Sequence, residues 1–555
     1  MTPKKLTDQL SVSPQIAPGD VAQIAAMGFK SIISNRPDGE GSDQPSFSEI
    51  EQEARQLGLK ARYLSVVSGK VRDDDAAAFA QALQELPQPV LAYCRTGTRS
   101  TTLWAISQAG KRPLADILAK AGDAGFDMSG VASRISAGGT ISSDAPAGRY
   151  DIVIIGGGAA GTAVAASLLG RKSNLDIAII EPADVHYYQP GWTLVVGGVF
   201  SPEQTVRPMG AVLPRQATWI KAAAAGFDPD NDSVVLEGCH TIKYRHLIVC
   251  PGLKLNWSGI EGLTETLGKN GVTSNYRYDL APYTWELVKN LKSGRAVFTQ
   301  PPMPIKCAGA PQKAMYLSAD HWFRSGRLRD IQIEFDNAGG VLFGVPDYVP
   351  ALMEYIKRYH VDLKFSSNLV AIDGPAKTAR FQKSNPDGTK EIVEIPFDMI
   401  HVCPPQQAPD FVRSSPLADS AGWVDVDPAT LRHKKYSNIY GLGDVTNTPN
   451  AKTAAAARKQ APVVAENVLH DMGSRAKMCA YDGYGSCPLT VERGKIVLAE
   501  FAYGGKLAPS FPAALFDGRK PSRAAWILKE RILPPIYWQA MLKGREWLAK
   551  PKVMA

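Results

Sequence analysis

The stretch from residue 151 to residue 169 restricts this chain more than any other feature. Asp151-Ile-Val-Ile-Ile155 reads as a buried strand, runs directly into Gly156-Gly157-Gly158-Ala-Ala-Gly161, and is followed by helix formers as far as Leu169. In that order Gly156 allows the tight turn, Gly158 lets backbone N–H groups approach a pyrophosphate, and Gly161 lets helix and strand pack closely. A second strand, Asp176 to Ile180, ends at Glu181, whose carboxylate is placed to accept bonds from a ribose diol. The stretch from Tyr150 to Gly170 is apolar enough to imitate a membrane span, but its glycine spacing assigns it to a dinucleotide-binding α/β unit.

A chain of 555 residues needs several such units. With 45% hydrophobic and 21% charged residues, global disorder is excluded, and 49 Gly and 40 Pro are too scattered for a fibrous class. Short apolar strands (Ser31–Ser34, Ala61–Val66, Pro89–Tyr93) alternate with helical patterns before residue 112, which predicts a small N-terminal α/β domain with a parallel sheet. We expect a linker over 113–148, including the Gly-, Ala- and Ser-rich run Ser136–Gly148, a second α/β body over 149–504 and a C-terminal region over 505–555. Seven cysteines cannot staple so long a chain. Reducing surroundings are expected, and no apolar run follows Lys4 and Lys5 to make a signal peptide.

The identity of the dinucleotide turns on a later segment. The strand Ser437–Tyr440 leads into Gly441-Leu-Gly-Asp444, where a carboxylate can bind the ribityl chain of a flavin. The helix after Lys452 would aim its N-terminal dipole, with the Lys452 ammonium, at the flavin ring. An enzyme using NAD(P)H would carry a second glycine fingerprint, and neither Gln300-Pro-Pro-Met-Pro304 nor Asp336-Asn-Ala-Gly-Gly340 has the spacing. FAD is the expected cofactor, nicotinamide is not the expected electron donor, and no metal is expected.

Lys306-Cys307-Ala-Gly-Ala-Pro311 places a cysteine beside a lysine and just before a helix, where both fields favour the thiolate. A buried, inert cysteine is the alternative. Here the residues resemble a family: Cys307-Ala-Gly-Ala-Pro-Gln-Lys313, Tyr188-Gln-Pro-Gly-Trp192, Gly441-Leu-Gly-Asp444, Ala451-Lys-Thr-Ala-Ala455 and Tyr481-Asp-Gly-Tyr484 through Ser486-Cys-Pro488 are similar to the sulfide:quinone oxidoreductases, the mitochondrial type above all. The resemblance covers roughly 149–548. It implies tandem dinucleotide-type domains holding FAD, with Gln189 and Pro190 at the cofactor, a redox cysteine pair and a membrane-binding C-terminal region. It also implies that hydrosulfide opens the disulfide to leave a persulfide and that electrons pass to quinone. The family's second cysteine falls where this chain has Val445. Cys403, in the turn Val402-Cys-Pro-Pro405, is the expected replacement, and Cys250 and Cys487 are read as core residues.

In the N-terminal domain, the strand Pro89–Tyr93 feeds Cys94-Arg-Thr-Gly-Thr-Arg99-Ser100 and then a helix. Amides of such a loop converge on one anion site in front of Cys94, and Arg99 is expected to add a bidentate clamp. The loop resembles rhodanese-type sulfurtransferases, and Asn35-Arg-Pro-Asp-Gly39 with its surroundings resembles phosphatase-like sulfurtransferases. Four residues rather than five separate Cys94 from Arg99, and Tyr93 stands where tyrosine phosphatases carry His. Both departures favour sulfane sulfur over phosphate, and the fusion suggests that persulfide sulfur passes to Cys94.

The net charge of +8 does not indicate nucleic acid, because nine Lys and Arg against two Glu fall within the last 37 residues and no basic groove or reading module accompanies them. Between Arg523 and Leu548, apolar and aromatic residues recur at three- and four-residue spacing, interrupted by Pro534-Pro535. Two short amphipathic helices are expected in the membrane interface, holding the protein to the inner face of a membrane from the cytoplasm. The reading is therefore an FAD-dependent sulfide oxidiser with a Cys94 sulfurtransferase or phosphatase-like domain. Its alternatives are a flavin NAD(P)H dehydrogenase and an inactive, membrane-docked flavoprotein scaffold.

Overall fold

Strands rich in Ile and Val that are followed by helices bury both faces, so they pair in parallel. The computed structural model contains three parallel-stranded sheets of this kind in series. It describes residues 2–554 apart from 42–43, 69–70, 110, 113, 129–130, 132–134, 136–147, 238–240, 386, 475–476 and 513–515.

The first sheet runs in the order Lys4–Lys5, Leu10–Ser13, Val90–Tyr93, Ser31–Ser34, Lys60–Tyr63, and only its outermost pair is antiparallel. Strand alternation puts Ile33 and Ala92 on one face, beneath Phe79, Leu103 and Trp104, and Ile32 and Leu91 on the other, beneath Val21, Ile24 and Ile50. Ile117 and Ala121 of the helix Leu114–Asp123, with Phe126 and Met128 after it, share the Trp104 cluster. The chain expected to be linker from residue 113 thus starts as part of this domain. The Gly-, Ala- and Ser-rich run falls almost wholly on 136–147, outside the described residues.

The second sheet sets Thr218–Ile220, Ile177–Ile180, Arg149–Ile155, Thr241–Val249 and Ile439–Gly441 side by side, all parallel. The helices Ala159–Arg171 and Ala454–Asp471 pack on each other over it. A third sheet, Val272–Thr273, Met399–His401, Gly294–Gln300, Ile331–Asn337, Asp362–Lys364, is parallel throughout and gives the tandem second unit. The chain returns to the second sheet only at Ile439, which brings the Asp444 loop beside the first glycine turn.

The hairpin Gly485–Glu492 and Lys495–Phe501 lies against the helix Ala310–Arg324. Beyond it, residues 523–543 form one continuous helical path, not two helices parted at the prolines. Pro535 sits at φ −57°, ψ −41°, and wide π-turns at Leu528–Ile532 and Ile536–Ala540 flank the proline pair. Proline has no N–H to give an ordinary helical turn, and a widened turn absorbs that loss without ending the helix. One side of this path is core: Ala525, Trp526, Lys529, Tyr537, Met541 and Leu542 are buried, while Ile527 and Ile532 are 48% and 45% exposed. No described helix is long and apolar enough to cross a membrane.

Candidate functional site

The glycine turn is built as its spacing requires. Gly156 sits at φ +101°, where a Cβ would lie 2.6 Å from the Cys250 carbonyl oxygen. A Cβ on Gly161 would overlap the Gly156 carbonyl oxygen, whereas Gly158 has nothing within 4 Å and leaves the turn open. Glu181 accepts the Gly157 N–H at 2.7 Å and the Ala183 N–H at 2.8 Å; burial pushes its pKa up, and these two bonds oppose that. Gly443 approaches the same turn, its Cβ position only 3.1 Å from the Ala160 methyl, so Asp444 is delivered beside the cradle. Burial raises the Asp444 pKa, and among the described residues no donor is bonded to its carboxylate. An open cradle next to an unpartnered carboxylate fits the pyrophosphate and polyol chain of FAD. Gln189 opens the turn Gln189–Gly191, which includes Pro190, and its Oε1 accepts from Lys306 Nζ at 2.6 Å.

Lys452 departs from expectation. Its ammonium donates to the Asp444 and Thr446 carbonyls at 2.8 and 2.7 Å and lies 4.1 Å from the Trp423 ring centroid. Burial brings its pKa down to about 8. Its charge is spent on bracing the Asp444 turn, not left free to face a ring.

Cys307 stands where the second unit would otherwise cradle phosphates, between the strand Gly294–Gln300 and the helix Ala310–Arg324. It adopts φ +48°, a left-handed conformation that a residue with a Cβ holds only at a cost of roughly 1–3 kcal/mol. Its N–H is tied to the Lys452 carbonyl at 2.8 Å, and its carbonyl accepts from Ala310 N–H at 2.6 Å, which fixes the sulfur at the helix N-terminus. The lysine at this sulfur is not the neighbouring Lys306 but Lys313, one helical turn in, with Nζ 3.1 Å from Sγ. A hydrogen bond from Cys487 is the largest influence holding the Cys307 thiol well below its ordinary pKa; burial opposes it and the Lys313 charge assists. Cys487, read as a core residue, is thus at the centre of the site: it is 3% exposed, on the hairpin strand Gly485–Glu492. Lys529 adds a second buried ammonium, bonded to Thr193 Oγ1 at 3.2 Å and the Pro488 carbonyl at 3.3 Å; burial and the Lys313 charge bring its pKa down to about 7.

Cys403 is in the adjoining cluster with Tyr276, Ile305 and Ala310. Its thiol is engaged by Gln406 Nε2 at 3.8 Å and by the Pro404 carbonyl at 3.9 Å, and burial pushes its pKa up to about 12. Val445 is fully buried in the core of the first unit.

In the N-terminal domain the Gly97 N–H donates to Cys94 Sγ at 3.1 Å, and Gly97 itself takes the left-handed turn at φ +90°. Arg99 does not make the expected clamp. Its guanidinium donates to the Asn35 and Val66 carbonyls at 3.0 and 2.6 Å and to Glu40 Oε1 at 2.8 Å, a buried arrangement that satisfies it within the protein. Ser100 Oγ, at the start of the following helix, is buried without a hydrogen-bond partner.

Comparison with known proteins agrees with this arrangement. Residues 3–111 match the family described as beta-lactamase hydrolase-like protein, phosphatase-like domain, and residues 150–288 match pyridine nucleotide-disulphide oxidoreductase. The mitochondrial sulfide:quinone oxidoreductase of Dictyostelium discoideum is 43% identical over 402 residues, 72% of this chain and 87% of that protein. The mouse protein of the same name is 38% identical over 396 residues, 71% and 87% of the two chains. The sulfide:quinone oxidoreductase structure from Aquifex aeolicus superposes with TM-score 0.59 at 20% identity, over 71% of this chain and 92% of that one, and shows the shared fold. With its glycine cradle, Asp444 turn and Cys307 helix start in place, the chain belongs to the sulfide:quinone oxidoreductase family, an FAD flavoprotein family, and carries a phosphatase-like domain at its N-terminus.

Proposed function

We propose that this protein oxidises sulfide at Cys307 and passes the electrons through FAD to a membrane quinone. The observation that carries this is the second α/β unit, which presents a lysine-paired thiol at a helix start where a nicotinamide-binding unit would present a phosphate loop. FAD supplies a two-electron carrier. Gly156, Gly158 and Gly161 would receive its pyrophosphate, Glu181 its ribose and Asp444 its ribityl chain. Lys452 and the helix Ala454–Asp471 brace that end of the site. Lys313 and the helix N-terminus hold the Cys307 thiolate ready without a separate base. Anaerobic addition of sulfide to the purified yellow protein is expected to bleach the flavin absorbance, and NADH is expected to leave it unchanged. Bleaching by NADH alone would favour a dehydrogenase; bleaching by neither would favour a scaffold.

Sulfur transfer to the phosphatase-like domain is supported by its contacts with the flavoprotein part. Arg95, next to Cys94, reaches the Ser414 carbonyl at 3.5 Å, and Gly125 approaches Ser258 closely enough that a Cβ there would lie 3.0 Å from its hydroxyl. The Cys94 loop therefore faces the flavoprotein part, and Arg99, locked to Glu40, leaves the loop without the anion clamp that phosphate chemistry uses. Cys94→Ser is expected to abolish transfer of sulfane sulfur from the protein to an added thiol while sulfide still bleaches the flavin. Unchanged transfer would remove Cys94 from the reaction.

The exposed Ile527, Ile532, Trp547 and Leu548, interleaved with Arg523, Arg531, Lys543 and Arg545, support attachment to the inner, cytoplasmic face of a membrane, where a quinone is dissolved.

A further inference from the structure

A flavin that has taken up electrons carries more negative charge than the oxidised ring, and a nearby cation or helix dipole stabilises that state. Lys452 does not supply the cation, since its ammonium is held by the Asp444 and Thr446 carbonyls and by the Trp423 face. Lys306 is held differently. Its N–H donates to Gln406 Oε1 at 2.7 Å, its carbonyl accepts from the Tyr276 hydroxyl at 3.2 Å, and a parallel bridge pairs it with Lys452, so its backbone is fixed. The side chain ends between two aromatic rings, with Nζ 5.9 Å from the centroids of both Trp192 and Tyr276. Of the three N–H groups on an ammonium, one is used, on the neutral Gln189 amide at 2.6 Å, and no carboxylate among the described residues is in ion-pair contact with it.

Burial lowers the Lys306 pKa, and Asp444, Cys403 and Cys307 oppose it in that order, so the ammonium is within electrostatic reach of both the Asp444 carboxylate and the reactive sulfur. Asp444 would receive the polyol chain that carries the flavin ring, and Cys307 is the group the ring must meet. The ring therefore belongs in the space these two define, beside Lys306. Trp192 gives a second, independent sign. Its indole N–H is buried without a hydrogen-bond partner among the described residues and, like the spare N–H groups of Lys306, requires an acceptor. The carbonyl oxygens and ring nitrogens along one edge of an isoalloxazine are such acceptors.

We propose that Lys306 is the cation facing the isoalloxazine, anchored by Gln189 and flanked by Trp192, and that it sets how readily the flavin is reduced. This rests on the sulfide-oxidising reading above, which brings the ring to Cys307. The two lysines, paired across one bridge, divide the work: Lys452 keeps the Asp444 turn in shape and so retains the cofactor, and Lys306 tunes its potential.

The flavin midpoint potential of the holoenzyme, read by anaerobic dye-coupled reduction across a range of pH, tests this. Lys306→Met is expected to make reduction about tenfold less favourable, about 30 mV for a two-electron couple. The pH at which the potential changes slope should also rise, because the reduced ring gives up its N1 proton less readily without the charge. Lys306→Arg should match the parent on both readouts. Lys452→Met is expected to lower the flavin content and leave the potential of the retained flavin in place. An unshifted potential and slope in Lys306→Met, or the shift appearing in Lys452→Met instead, overturns the assignment. Should Lys306→Met hold no flavin, amine labelling of the parent decides: acetic anhydride is expected to modify Lys306 in flavin-stripped protein and to spare it once FAD is restored, and equal labelling overturns the assignment. Sulfide bleaching of the parent with an unshifted Lys306→Met potential sinks this role alone. A shifted potential in a protein that sulfide does not bleach would remove the sulfide reading and leave the lysine at the ring.

Discussion

Lys313 Nζ lies 3.1 Å from Cys307 Sγ, two groups six residues apart that meet because the first turn of the helix Ala310–Arg324 folds back over the strained cysteine. Burial penalises both charges separately, and each offsets the other's penalty: the thiol is held low and the ammonium is held high.

Removing the ammonium should therefore raise the Cys307 pKa. In the reduced protein, Lys313→Met is expected to slow iodoacetamide labelling of Cys307 at pH 7 by about tenfold, equivalent to one pKa unit, and to move the labelling midpoint to higher pH. Lys313→Arg should restore most of the rate. Equal labelling rates and midpoints in all three proteins would show that the lysine does not act on the sulfur.

Lys529 makes the fold sensitive to pH in the opposite sense from a paired lysine. Its folded pKa of about 7 is below the ordinary 10.5, so between these values the unfolded chain binds the extra proton. The penalty is complete below pH 7 and is relieved as pH rises through that window. Lys529→Met should be more stable than the parent at pH 6.5, by an upper bound of about 5 kcal/mol, with the difference shrinking by pH 10. Urea unfolding at the two pH values measures it; a constant difference would contradict the assignment.

Glycines that look alike in sequence should behave differently. Gly161→Ala drives a methyl into the Gly156 carbonyl oxygen and is expected to remove bound flavin, read as the 450 nm absorbance per mole of protein. Gly170→Ala, on the same helix with nothing within 4 Å, should keep its flavin and gain roughly 0.5–1 kcal/mol of stability.

The structure also changes how membrane attachment must be tested. Deleting everything from Arg519 would strip Trp526, Tyr537, Met541 and Leu542 from the core and remove Tyr537 from its 2.6 Å bond to His186, so loss of binding would be confounded with unfolding. Ile527→Glu with Ile532→Glu alters only exposed positions. It is expected to reduce sedimentation with anionic liposomes several-fold at unchanged melting temperature; undiminished binding would move the contact elsewhere.

Much of this protein is legible in its sequence, because the relevant signals are local. A strand, a turn of fixed glycine spacing and a helix dictate one another within some twenty residues, and Gly156, Gly158, Gly161 and Asp444 stand where that logic puts them. The position of Cys307 before a helix is equally local, since Pro311 marks the start. The partners of these groups are not local. Cys487 and Lys529 approach the Cys307 turn from a distant hairpin and from the C-terminal path, and the absence of a side chain at Gly309, where a Cβ would lie 2.6 Å from Cys487 Sγ, is what leaves that sulfur room. Arg99 and Lys452 show the same division. Sequence identified them as cations near anion sites, but buried charges bind the nearest acceptors, and only the packed structure supplied Glu40 to one and two backbone carbonyls to the other. The proline pair at 534–535 reads as a break, and the core contacts of Trp526 on one side and Tyr537 on the other carried the helix through it by widening its turns.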